Sequence, residues 1–251
     1  MHIRVITPIT TKGFTTVADF DGVAREGTVV SVGHLEAGPA SIESEFDEAF
    51  ALPNMVVRMM EAERDGADAV VIDCMGDPAL AAGREVLDIP VVGASQGGMH
   101  LAAMLAHSFS VVTVLKTLRP MFEHAAGRYG LESKLSSVRS VEIPVLELES
   151  DMGRLVDELV EESVKAIEQD GAHAILFGCT GMKGCAVGLQ RGVAERGYPQ
   201  VPVIDPVAGA VKLAEILVDL GLAQSRLTYA TPREKEIAGY DIPARAGAAR
   251  A

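Results

Sequence analysis

Asp65-Gly66-Ala67-Asp68-Ala69-Val70-Val71-Ile72-Asp73-Cys74 returns 105 residues later as Asp170-Gly171-Ala172-His173-Ala174-Ile175-Leu176-Phe177-Gly178-Cys179. In both copies an Asp-Gly-Ala turn leads into a short apolar run that ends on a cysteine in the same register. The match extends to a glycine two residues on, Gly76 and Gly181. It resumes at Ile89-Pro90-Val91-Val92 and Val201-Pro202-Val203-Ile204, and then at two similar helix starts, Gly97-Gly98-Met99-His100-Leu101-Ala102 and Gly209-Ala210-Val211-Lys212-Leu213-Ala214. Upstream, the first apolar run with Thr7-Pro8-Ile9-Thr10 has a looser counterpart in Val111-Val112-Thr113-Val114-Leu115-Lys116-Thr117. Strand-turn-helix units resemble one another by composition. Chance resemblance does not also put a cysteine at the carboxyl end of both strands, where α/β sheets bind ligands.

Working outward, short Val/Ile-rich runs alternate with longer helical patterns, the signature of βα units feeding parallel sheets. Strands are predicted near 3–7, 28–32, 69–73, 90–93, 110–115, 137–141, 174–178 and 202–204. Most are continuous apolar runs because both faces of such a sheet are covered. The clearest helices fall at 46–64, 98–106, 119–129, 151–170 and 208–220, the fourth capped by Asp151. The fold class expected is α/β: two pseudosymmetric Rossmann-like lobes, each a parallel four-stranded sheet flanked by helices, with the active site in the cleft between them. Residues 1–107 are assigned to the first lobe, joined by the C-terminal helix and segment 208–243. Residues 108–207 are assigned to the second lobe, and 244–251 to a flexible tail.

Composition narrows the function. The chain has 251 residues, 48% hydrophobic and 23% charged, enough for a well-buried core. With 22 Lys and Arg against 35 Asp and Glu the net charge is −13, and such a surface repels phosphate backbones and anionic membranes. Nucleic acid and membrane partners are therefore not expected. The region 89–115 is the most apolar, but Gln96, His100, His107 and Ser108 interrupt it, so no bilayer-spanning helix is expected. Three cysteines without a disulfide spacing, and an N-terminus that runs straight into a strand, point to a reducing, cytoplasmic setting.

A cysteine between a buried strand and a Gly-containing turn sits where backbone N–H groups point outward, a setting expected to lower its pKa and to supply donors for an anion. Two such thiols across one small cleft suggest stereochemistry. One thiolate removes a proton beside a carbonyl, the opposite thiol delivers one to the other face, and turn amides hold the enolate oxygen. That is racemisation without a cofactor. The rival readings are a metal site, a redox pair and core packing. The six histidines form no cluster in sequence, Cys-x-x-Cys is absent, and no metal is expected. For Cys185 core packing is the reading adopted. Ser41 and Glu43, after the Gly38-Pro39 break, either line the cleft or cap the helix that follows. Gln96-Gly97-Gly98 before a helix is a weak phosphate-cradle signal. His100 reads as a packed or half-exposed helix residue, and Met75, Met99 and Met104 as core filler.

The segments Asp73-Cys74-Met75-Gly76-Asp77-Pro78, Gly178-Cys179-Thr180-Gly181-Met182 and Gly38-Pro39-Ala40-Ser41-Ile42-Glu43 resemble the Asp/Glu/hydantoin racemase superfamily, in particular its hydantoin and allantoin racemase branch. The resemblance runs from the first strand to about residue 232. It implies a cofactor-independent, two-base racemase of a small molecule, with Cys74 and Cys179 as the bases. Thr113 and the turns at Gly76 and Gly181 would contact the substrate ring, and Thr10, Ser41, Ile42 and Thr180 complete the substrate-binding candidates. Two departures stand out. Thr7-Pro8-Ile9-Thr10 occupies the place of the family's Asn-Pro-Asn-Thr, losing two amide side chains, and Thr180 follows Cys179 where this branch often has Ala. The expected activity is racemisation of a 5-substituted hydantoin or allantoin. An aspartate/glutamate-type amino-acid racemase and a catalytically silent ligand-binding protein are the alternatives, and a homo-oligomer is expected. Single-cysteine decarboxylases and isomerases share this fold, but the second cysteine argues against them.

Overall fold

A computed structural model describes residues 1–245. Two four-stranded parallel sheets form its frame. The first holds β1 (His2–Thr7), β2 (Val29–His34), β3 (Ala69–Ile72) and β4 (Val91–Gly93) in the order β2-β1-β3-β4. The second holds β5 (Phe109–Thr113), β6 (Leu135–Ser140), β7 (Ile175–Phe177) and β8 (Val203–Ile204) in the order β6-β5-β7-β8. Strand for strand the two orders are the same, so the sequence repeat is a repeat of topology. The central strands β3, β5 and β7 are buried along their whole length, while the edge strands β2 and β6 are largely half-buried. That difference explains why the central strands read as unbroken apolar runs.

Among the described residues seven α-helices flank the sheets: α1 (Glu45–Arg64), α2 (Leu80–Val86), α3 (Ala94–Leu105), α4 (Arg119–Arg128), α5 (Met152–Asp170), α6 (Ala186–Glu195) and α7 (Pro206–Asp219). Their starts follow from capping. Ser44 accepts the Asp47 amide, Asp151 that of Arg154, and Asp205 those of Val207 and Ala208, each satisfying N–H groups that the first turn leaves without partners. The Asp205 cap lets α7 begin two residues before the apolar pattern indicates. On the other side α3 begins at Ala94, four residues before the predicted start, and Gly97-Gly98 lies inside it. A Cβ on Gly98 would come within 2.8 Å of Leu176 and 3.0 Å of Pro206. Gly97, against Leu213, and Gly98 thus serve close packing of α3 on α7 and β7, inside the helix rather than in a loop before it. His100 is exposed, and Met104, read as core filler, is 80% exposed on the outer face of α3.

Helix α3 packs against β4 of its own sheet and against β7 and β8 of the other, and α7 packs against β1, β3, β4 and α3. One apolar cluster therefore runs without a break from Ile3, Val5 and Val71 through Met99 and Val211 to Val111 and Leu176. A second cluster fills the other face of the first sheet beneath α1, around Met55, Met59 and Ile72. The continuous core holds the carboxyl ends of β1, β3, β5 and β7 in fixed relation. Beyond α7 the chain returns to the first sheet's side, where Gln224 donates to the Leu87 and Ile89 carbonyls and Arg226 pairs with Asp88. Of the expected tail, 246–251 lie outside the described residues. No helix among the described residues is long and apolar enough to cross a membrane.

Candidate active site

Cys74 and Cys179 follow β3 and β7, which hold equivalent places in the two sheets, and both line one small cavity between the sheets. Each sulfur accepts a hydrogen bond from the amide two residues on: Gly76 N–H to Cys74 Sγ at 3.5 Å, and Gly181 N–H to Cys179 Sγ at 3.4 Å. The duplicated sequence thus builds the same thiol turn twice. Gly76 has a second reason to be glycine, because a Cβ there would lie 2.3 Å from Glu48 Oε2 on α1.

The sequence predicts lowered thiol pKa values, and the structure reverses the sign. Burial pushes Cys74 well above the ordinary thiol range, against the pull of the Gly76 amide, and Glu48 and Cys179 add to the rise. Burial raises Cys179 to about 12; the Gly181 amide and Lys183 pull it down, while Asp73 and Glu43 push it up. One long N–H···S contact per sulfur does not offset removal of a thiolate from water. Cys185 is fully buried at the start of α6, outside the cavity, and burial raises it to about 11.

Of the residues singled out from sequence, Cys74, Cys179, Ile42, Gly76 and Thr180 line the cavity. Thr113 does not: it is fully buried, its hydroxyl donates to the Gly178 carbonyl at 3.1 Å, and the next residue, Val114, reaches the cavity instead. Thr10 turns its hydroxyl to the Pro39 carbonyl, and Ser41 lies on an outer groove beside Phe46 and Phe50. Gly181 presents its amide to Cys179 and packs its Cα side on Phe14 and Leu148. Glu43 takes up an unforeseen role, accepting the Val145 amide at 2.7 Å and so tying the loop before α1 to the second lobe.

Sequence reasoning passed over the apolar wall of Phe14, Leu118, Met121 and Val145, which comes from three separate segments of the chain. It also passed over Asp73. This carboxylate is 2% exposed, and its Oδ2 accepts the hydroxyls of Thr7 at 2.8 Å and Thr15 at 2.7 Å. Its own carbonyl accepts the Thr180 hydroxyl from the opposite thiol turn at 3.2 Å. A charged residue ending the buried run Ala69–Ile72, directly before a cysteine, was the signal available in sequence. Asp77 completes the first turn. Its Oδ1 accepts the Ser95 amide and its Oδ2 the Gln96 amide at the start of α3, and Oδ2 also accepts the Tyr129 hydroxyl.

No Lys, Arg or His lines the cavity among the described residues. Lys183 bonds the Phe14 carbonyl and pairs with Asp19 at 3.1 Å, in a separate chamber behind Asp73 and Thr180. Such an enclosure, with a thiol from each sheet, suits proton transfer at a neutral, polar small molecule.

Comparison with known proteins agrees with this architecture. The hydantoin racemase of Pseudomonas sp. (strain NS671) is 42% identical over 242 residues, covering 95% of each chain. The structure of allantoin racemase from Klebsiella pneumoniae superposes with a TM-score of 0.88 at 37% identity, covering 95% of this chain and 96% of that one. Allantoin racemase from Pseudomonas fluorescens gives 0.89 at 34% identity, covering 95% and 100%. The model describing Asp/Glu/Hydantoin racemase matches residues 3–214, which takes in both sheets, both thiol turns and most of α7, and the chain belongs to that family.

Proposed function

We propose that the protein is a cofactor-independent racemase of 5-substituted hydantoins or allantoin, with Cys74 and Cys179 as its two bases. The observation that carries the reading is the pair of equivalent thiols on one cavity, each with an amide donor in the same place. One thiolate takes the C5 proton and the other thiol returns a proton to the opposite face; the roles exchange for the other enantiomer. Of the turn amides expected from sequence to hold the enolate oxygen, those of Gly76 and Gly181 point at the sulfurs and stabilise the thiolate. The Met75 and Thr180 amides, next to the cysteines in the two turns, make no hydrogen bond among the described residues and are the donors left for the oxygen that becomes an enolate.

Raised thiols bear on the mechanism in two ways. Fewer are ionised at neutral pH, and each is a stronger base once ionised, which suits a weak carbon acid. The cavity is narrow, with about 40 Å³ of free space, and Phe14, Ile42 and Val145 form part of the wall that a substrate ring would meet. An aspartate or glutamate racemase is the less favoured reading, because the cavity wall offers no cation for the carboxylates of such a substrate.

The same reading has the enzyme act in the cytoplasm as a homo-oligomer. Its first lobe comprises 1–107 with 208–243, supported by the packing of α7 on β1, β3 and β4, and its second comprises 108–207. The test is proton NMR in deuterated buffer, following loss of the C5 proton from hydantoins and allantoin and of the α proton from aspartate and glutamate, with an enzyme-free control. Enzyme-dependent exchange on the rings alone, with racemisation abolished in both Cys74→Ser and Cys179→Ser, is expected. Normal racemisation by both variants would refute the two-base mechanism.

A further inference from the structure

We propose that Asp73 is a specificity-determining residue whose carboxylate accepts the ring N–H adjacent to the reacting carbon, selecting cyclic ureides over carbon acids that lack this donor. The inference rests on the cyclic-ureide reading above and adds to it the group that recognises the ring.

Asp73 combines three features. It lines the thiol cavity yet is 2% exposed, so its charge is held where solvent contributes little. Its position is fixed at both ends: Thr7 and Thr15 donate to Oδ2, and the Thr180 hydroxyl holds its backbone carbonyl. Two hydroxyls donating to one oxygen mark it as an acceptor. Among the described residues its other oxygen, Oδ1, has no hydrogen-bond partner. That oxygen is not among the fully buried polar atoms left without a partner, so it opens to the cavities that Asp73 lines and is free to accept from a ligand there.

The chemistry of the reaction then chooses which donor. In a hydantoin the reacting C5 has two ring neighbours, the C4 carbonyl and N1–H. Deprotonation at C5 puts negative charge on the C4 oxygen, and a carboxylate beside that oxygen would oppose the reaction. The edge of the ring that a carboxylate can face without penalty is therefore the N1–H edge. Asp73 and Cys74 line the same cavity, so a ring whose C5 meets the Cys74 sulfur has Asp73 in the wall around it. Thr7 takes part in the same arrangement, since the hydroxyl that stands where the family has an amide is spent on Asp73.

The test uses two non-racemisable competitive inhibitors of the full-length enzyme. 5,5-Dimethylhydantoin and 2,2-dimethylsuccinimide have the same ring size, the same imide and the same gem-dimethyl carbon, and differ in that the succinimide has CH2 in place of N1–H. Wild type is expected to bind the hydantoin roughly 10- to 100-fold more tightly, the range for a hydrogen bond to a charged acceptor. In Asp73→Asn the Thr7 and Thr15 hydroxyls can still donate to the amide oxygen, which leaves an NH2 in place of Oδ1, and the preference should fall to within about threefold. Asp73→Ala serves as a second variant should the first not fold, and a role confined to holding the turn would weaken both ligands alike without changing their ratio. The proposal is overturned if wild type binds the two equally, or if the preference persists in the variants. Were wild type to show these inhibition data but racemise no 5-monosubstituted hydantoin in the same assay, the functional reading would fall and the proposal with it; racemisation with no inhibitor preference would sink the proposal alone.

Discussion

The Tyr129 hydroxyl donates to Asp77 Oδ2 at 2.6 Å, joining the residue just past α4 to the turn that carries Cys74. The same carboxylate caps α3 through the Ser95 and Gln96 amides, and Asp77 adopts a left-handed φ of 51° to do so. The Gly76-Asp77 pair in the first thiol turn is thus a structural latch. Burial raises the Asp77 pKa despite these three donors. Removing one should be felt: Tyr129→Phe is expected to cost about 1–3 kcal/mol in urea unfolding. It should also lower kcat more than it raises KM, because the Cys74 turn loses a positioning contact rather than a substrate contact. Unchanged stability and kinetics would show that the latch is redundant.

Glu48 gives stability a pH dependence of definite sign. Burial raises its pKa to about 7, with Arg128 pulling down and Glu45 and Asp77 pushing up. An unfolded glutamate titrates near 4.3. Between these values the folded chain holds a proton that the unfolded chain has released, so the contribution of this group to stability is lost as pH rises from about 4 to about 7. Glu48→Gln is expected to match wild type near pH 4 and to exceed it by on the order of 2 kcal/mol at pH 8. Urea midpoints of both proteins at pH 4, 6 and 8 isolate the difference, and parallel curves would refute it.

How much was legible follows from where the information resides. The cysteine register of the 105-residue repeat fixed the sheets and the two thiols, because periodicity and strand ends are local signals. Helices α2 and α6 were not among the clearest patterns, being short and rich in Gly and Ala. Thr113 was carried over by resemblance, but the close approach of β5 to Gly178 buries its hydroxyl. The sign of the thiol shift was missed because it depends on Phe14, Val145 and Met121 closing over the sulfurs from distant segments. A local reading of the Cys-x-Gly turn sees its amide donor and not its lid.

That same lid governs the pH dependence of activity. With Cys179 near 12 and Cys74 also raised by burial, the reactive pair with one thiolate and one thiol is a minor form at neutral pH. Its population grows about tenfold per pH unit below the first thiol ionisation. After subtraction of spontaneous racemisation, log kcat/KM is expected to rise with a slope near 1 from pH 7 to 9. A plateau inside that range would mean that the free enzyme ionises a thiol far more readily than its burial implies.

Phe14 is the part of the lid most exposed to test by substitution. Its ring packs on the Cα side of Gly181 and lies 5.1 Å from the Lys183 ammonium, while its carbonyl accepts from the same lysine. The backbone is therefore held independently of the ring, and Phe14→Ala should remove volume from the cavity wall without releasing the segment. Two separate consequences follow. Larger C5 substituents gain room, so kcat/KM for a benzyl-substituted hydantoin should rise relative to a methyl-substituted one by roughly tenfold, the scale of one to two methylenes of fit. Water also reaches Cys179 more readily, which lowers its pKa and should shift the alkaline rise in activity to lower pH. Both effects are read from one pair of pH profiles on the two substrates. If the substrate ratio is unchanged while the pH profile shifts, Phe14 shields the thiol but does not bound the side-chain pocket, and Met121 and Val145 become the residues that set substrate size.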